Sequence, residues 1–166
     1  MKITKNARLA SVIFVLLVVV SSAQAADDLI IERMATCQDS WLDWKNDPAG
    51  LKKLSASIRS SFLQKQGAPF LVPKSKQTVV GLPVVQLFPD NIGMAVGFSV
   101  IVDANFETTR KSLEKKIGKA FKKCETDDNM QSCELEIGEH KTITLMAEEN
   151  VISKTTLIGC YYYYEK

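Results

Sequence analysis

Histidine is almost missing from this sequence of 166 residues: His140 is the only one. A Ser-His-Asp or Cys-His site would have to use it. It lies between Glu139 and Lys141 in a predicted tight turn, a poor place to hold a general base in fixed, dry geometry. There is no C-x-x-C, so a zinc site lacks its usual ligand spacing. No G-x-G-x-x-G and no Walker-type loop occurs, which removes the commonest phosphate cradles. No Asn-x-Ser/Thr sequon is present, which fits a bacterial periplasmic protein better than a eukaryotic secreted one. No metal site and no cofactor is expected.

Acidic side chains are absent from the first 25 residues. Lys2, Lys5 and Arg8 form a positive start, Leu9–Val20 an apolar run, and Ser21-Ser22-Ala23-Gln24-Ala25 a small-residue end. That is the three-part pattern of a signal peptide. The run is shorter than the ~20 apolar residues that span a bilayer. No cysteine follows Ala25 to take a lipid, and no Arg-Arg pair marks the twin-arginine route. The expectation is a cleavable signal at 1–25 and a single domain at 26–166, periplasmic or secreted. No stable membrane span is expected after cleavage.

Removing the signal changes the charge. The chain has 21 basic and 19 acidic residues, and the signal holds three of the basic ones, which leaves a net charge of −1. A near-neutral domain offers no general attraction for nucleic acid. All four cysteines, Cys37, Cys124, Cys133 and Cys160, follow the signal. In an exported chain they favour two disulfides over thiolate nucleophiles. Three pairings are possible. The expected one is Cys124–Cys133 as a local staple and Cys37–Cys160 tying the start of the domain to its end.

Apolar spacing locates the elements. Ile30, Met34, Cys37, Trp41 and Trp44 line a predicted helix from about Asp28 to Lys45. Asp47 is a good N-cap with Pro48 at the first helical position. Leu51, Leu54, Ile58 and Phe62 then line a second helix that Gly67 and Pro69 would end. Gly67 to Gln77 looks irregular. Val84–Phe88 and Met94–Val102 are predicted strands joined by a turn at Pro89–Gly93. Asn105–Lys123 is a third predicted helix, with Phe106, Leu113, Ile117, Ala120, Phe121 and Cys124 as its buried stripe. Glu125 to Ser132 is a polar loop. Cys133–Ile137 and Thr142–Ala147 form a hairpin, and Thr155–Tyr164 a last strand. The order ααββαβββ implies an α+β domain, an antiparallel sheet with helices packed on one face.

Four features could carry function. Lys111, Lys115, Lys116, Lys119, Lys122 and Lys123 would cover one arc of the third helix and could dock an anionic partner. On the last strand Tyr161 and Tyr163 would share a sheet face with Gln86, Ala95, Gly97, Ser99, Thr142 and Thr144. Such a face could bind a glycan strand or a peptide. Asp39 with Asp43, or Glu134 with Glu136, could supply paired carboxylates for glycosidase-type hydrolysis. Glu125, Asp127, Asp128 and Asn129 crowd oxygen ligands into one stretch, but without the spacing of a calcium loop.

The best candidate residues for a ligand or partner are therefore Tyr161, Tyr163, Ser99, Thr144, Lys111, Lys115, Lys119 and Lys122. With no catalytic constellation, the leading expectation is a non-enzymatic binding or accessory protein, an inhibitor or immunity-type partner of an envelope protein. A small-ligand carrier or sensor and a carboxylate-dependent hydrolase are the alternatives.

Overall fold

The structure is a computed structural model, and it describes residues 30–39, 46–89, 96–138, 140–148 and 154–162. The expected signal at 1–25, Trp41, Asp43, Trp44, most of the turn before Val96 and Tyr163 lie outside the described residues.

Residues 30–35 are helical (α1), and 36–39 form a turn and bend. The helix predicted to run to Lys45 therefore already stops at residue 35. Cys37 takes a left-handed backbone, φ 56°, which ends a helix well. α2 spans Pro48–Ser61, capped by Asp47, whose side chain accepts from the Ala49 N–H at 3.0 Å. It ends before the expected Gly67 because Phe62 turns into extended structure and buries its ring. α3 spans Phe106–Ile117, with the Asn105 side chain accepting from the Thr108 N–H at 2.9 Å. Gly118 closes it at φ 70°, a conformation that glycine takes without steric cost.

The strands are β1 (Phe62–Gln64), β2 (Leu71–Pro73), β3 (Thr78–Val79), β4 (Leu82–Phe88), β5 (Val96–Val102), β6 (Lys123–Asp127), β7 (Met130–Gly138), β8 (Lys141–Glu148) and β9 (Thr156–Tyr162). All pair antiparallel in the order β1-β2-β4-β5-β9-β8-β7-β6, with β3 joined to β4. The molecule is thus mixed α/β and mostly sheet. Among the described residues the labelled elements run ααβββββαββββ, in place of the simpler ααββαβββ. The added strands are short or wholly polar. β1, β2 and β3 are too brief for a period of two, and β6 exposes all five residues.

Register explains the core. Phe98, Val100 and Val102 lie opposite Cys160, Ile158 and Thr156, and Ile143 and Leu145 lie opposite Cys160 and Ile158 on the other side. Paired residues share a face, so these side chains form one buried layer. Ile31, Met34 and Ala35 of α1 and Leu54 and Leu113 of the other helices belong to the same cluster. Two disulfides are present, Cys37–Cys160 and Cys124–Cys133, and no described cysteine is free. They imply an oxidising, non-cytoplasmic environment. No helix among the described residues is long and apolar enough to cross a membrane.

Candidate functional site

The lysines do not share one helical arc. α3 buries Phe106, Thr109 and Leu113 and leaves Lys111, Lys115 and Lys116 exposed. Past Gly118 the chain leaves the helix and is irregular until β6 begins at Lys123. Phe121 is buried and donates its N–H to the Glu114 carboxylate at 3.0 Å, which pins this segment to the helix. Lys119 and Lys122 flank that anchor and are exposed, and Lys123 opens β6 opposite Glu134. Six lysines thus follow a bent path: a helix face, a corner, then a strand.

Two concavities lie along the path. One of about 410 Å³ is lined by Glu32, Val80, Gly81, Ser112, Lys115 and Lys116. The other, about 540 Å³, is lined by Lys119, Ala120, Lys122, Lys123, Glu134, Leu135 and Glu136. Glu32 organises the first. Its carboxylate accepts from the Val80 N–H at 2.7 Å and pairs with the Lys116 ammonium. It thereby ties α1 to the left-handed turn at Val80-Gly81 and to α3. Glu32→Ala should lower stability by about 2 kcal/mol in urea unfolding, because a charge-assisted bond and an ion pair go together. Glu32→Gln keeps an acceptor and should cost less. Equal costs for the two would show that the Val80 contact contributes nothing.

The tyrosine face is a different matter. Ser99, Gly159 and Thr144 form one row across β5, β9 and β8, and Gly97, Tyr161 and Thr142 the next. Gly97, Ser99, Thr142, Thr144 and Tyr161 therefore share a face, while Ala95 and Tyr163 lie outside the described residues. They are not open to solvent: Ser99 is 0 % exposed, and Thr142, Thr144 and Tyr161 are 6 % exposed. The Tyr161 ring lies flat over the two glycines. A Cβ on Gly97 would sit 2.6 Å from Tyr161 Cδ1, and one on Gly159 would sit 2.6 Å from Tyr161 Cε2. The Ser99 and Thr144 hydroxyls are buried without a hydrogen-bond partner. Glycines inside two neighbouring strands were the available signal for this close approach.

The other candidates are dispersed. His140 is exposed at φ 60° in the β7–β8 turn. Asp39 pairs with Arg33, and its carbonyl accepts from the Tyr162 hydroxyl at 3.2 Å. Glu134 and Glu136 are exposed along the larger concavity, without the dry pocket that a glycosidase acid needs. Asp128 and Asn129 form the tip between β6 and β7, both at positive φ. No group of three metal-ligating side chains occurs among the described residues.

No protein-family model matches the chain, and no curated protein or solved structure shows significant similarity to it. The site must therefore speak for itself.

Proposed function

We propose that this chain is an exported, non-enzymatic binding protein that docks an acidic surface of an envelope partner through its lysine path. In this reading residues 1–25 are a cleaved signal and the domain works in the periplasm or outside the cell. The helices cover the sheet face that carries Phe98, Val100, Ile158 and Cys160. The observation that carries the reading is the placement of Lys111, Lys115, Lys119 and Lys122. All four are exposed and, among the described residues, none forms an ion pair. Three of them rim the two concavities. An array of unpaired cations steers and orients an anionic partner. An inhibitor or immunity-type complex is the fitting class, since such partners bind by surface complementarity alone.

Recovery of one stoichiometric partner from a periplasmic extract, with affinity that falls steeply as salt rises, is the expected result. Converting Lys111, Lys115, Lys119 and Lys122 together to Glu should weaken that complex by roughly a hundredfold or more, as like charges meet across the interface. Undiminished binding by the quadruple variant would refute the lysine path as the contact surface.

A further inference from the structure

The described sheet ends on an edge whose charges complement themselves. β6 is the last strand of the path and, among the described residues, pairs only with β7. Its free backbone groups follow from the hairpin. Asp128 and Asn129 make a two-residue turn with both φ values positive. Such a turn makes the flanking pair, Asp127 and Met130, a hydrogen-bonded one. The pairs then alternate, so Cys124 and Cys133 form a non-hydrogen-bonded pair. Their Cα atoms are 4.1 Å apart. That agrees, because such pairs lie near ~4.5 Å and hydrogen-bonded pairs near ~5.5 Å. Cys124 and Thr126 therefore turn their N–H and C=O groups away from β7, toward solvent.

Exposed edges are ordinarily blunted by charge. Here the charges are ordered by sign. Lys122 and Lys123 enter the strand, Glu125 is central, and Asp127 and Asp128 leave it. We propose that two copies of this chain pair through β6, antiparallel, about a two-fold axis at Glu125. Cys124 then lies opposite Thr126 of the second copy, and their outward groups form a hydrogen-bonded pair on each side of the axis. Lys123 faces Asp127 of the second copy, twice, and Lys122 and Asp128 extend the match. Only Glu125 meets its own like. Other registers are worse. A one-residue slip sets outward groups against inward ones. A two-residue slip that moves the axis to Thr126, toward the turn, sets Glu125 against Asp127 in both halves. The opposite shift sets Asp127 against Phe121, whose ring is buried. The opposite edge, β1, has three residues and no such order.

The contact is isologous and small, so the dimer is concentration-dependent. It shares Lys122 with the lysine path but not Lys111, Lys115 or Lys119, so an acidic partner held there should still bind the monomeric Thr126→Pro variant, and the two readings fail separately.

Sedimentation velocity over a concentration series of the purified protein should show a monomer–dimer equilibrium. Thr126→Pro removes an outward N–H and no β6–β7 bond, and it should leave monomer. Lys123→Glu and Asp127→Lys each place like charges across the axis twice, and each should weaken self-association roughly tenfold. Mixed together, those two variants restore every opposite-charge pair and should dimerise with each other. Complementation of that kind cannot arise from a defect in folding. A protein that stays monomeric throughout the series overturns the proposal. So does a dimer that persists in Thr126→Pro with an unchanged circular dichroism spectrum, or a mixture that fails to associate.

Discussion

Replacing Cys37 and Cys160 together by alanine should remove about 5 kcal/mol of stability, the largest loss expected from any one bridge or side chain. The bridge closes a separation of 123 residues. On the chain-entropy model a loop of that size costs the unfolded chain about 5 kcal/mol of freedom. Domains hold only ~5–15 kcal/mol in total, so urea unfolding should begin near the point where the native protein is still intact. The bridge also fastens α1 to the central strand β9, and Ile31, Met34 and Ala35 are wholly buried behind it. Cys124–Cys133 closes a separation of only 9 residues, and its loss should cost nearer 3 kcal/mol. The backbone adds a second test. Cys37 is held at φ 56°, where a Cβ is unfavourable and glycine is not. Cys37→Gly with Cys160→Ala should therefore be about 1 kcal/mol more stable than the double alanine variant. A Cys124–Cys133 deletion that costs as much as the long bridge would overturn this account.

What the chain reveals by pattern, and what it hides, follows from where each side chain points. Alternation from Phe98 to Val102 and the Asp47-Pro48 start of α2 are local signals, and the structure places a strand and a capped helix there. β6 has no apolar alternation because neither of its faces is covered. Its residues pass for a solvated acidic loop until β7 supplies the ladder. α3 was overextended for the opposite reason. Ala120, Phe121 and Cys124 continue the apolar spacing, but Gly118 stops the helix and Phe121 is buried from the irregular segment after it. Lys119 and Lys122 therefore stand at a corner beyond the helix and not on its face. The tyrosine face failed differently. The face itself is the expected one, but alternation assigns only a side of the sheet. It does not say whether a ring lies down on that side and closes it.

The second large effect is expected at Gly97. Glycine to alanine inside a strand is ordinarily favourable by about 0.5–1 kcal/mol, since glycine has more freedom to lose. Here the sign should reverse. A Cβ on Gly97 would sit 2.5 Å from the Cys160 carbonyl oxygen and 2.6 Å from the Tyr161 ring. The carbonyl belongs to Cys160 in the backbone of β9, the residue that the long disulfide holds, so it cannot step aside cheaply. Gly97→Ala should cost about 3 kcal/mol, the upper end of ordinary overpacking. The three atoms nearest to a Cβ on Gly159 all belong to Tyr161: Cε2, Cζ and the hydroxyl oxygen. A side chain can rotate away, so the cost there should be about 1–2 kcal/mol. The two positions should also differ in how they couple to Tyr161. Tyr161→Ala removes the three closest contacts at Gly159, and the pair should cost about 1 kcal/mol less than the sum of its single changes. At Gly97 the carbonyl clash survives, so Tyr161→Ala should relieve only part of the damage. Urea midpoints for the three single and two double variants decide it. Additive costs at Gly159 would mean that the ring does not rest on that glycine, and the buried face would then owe its closure to something other than Tyr161.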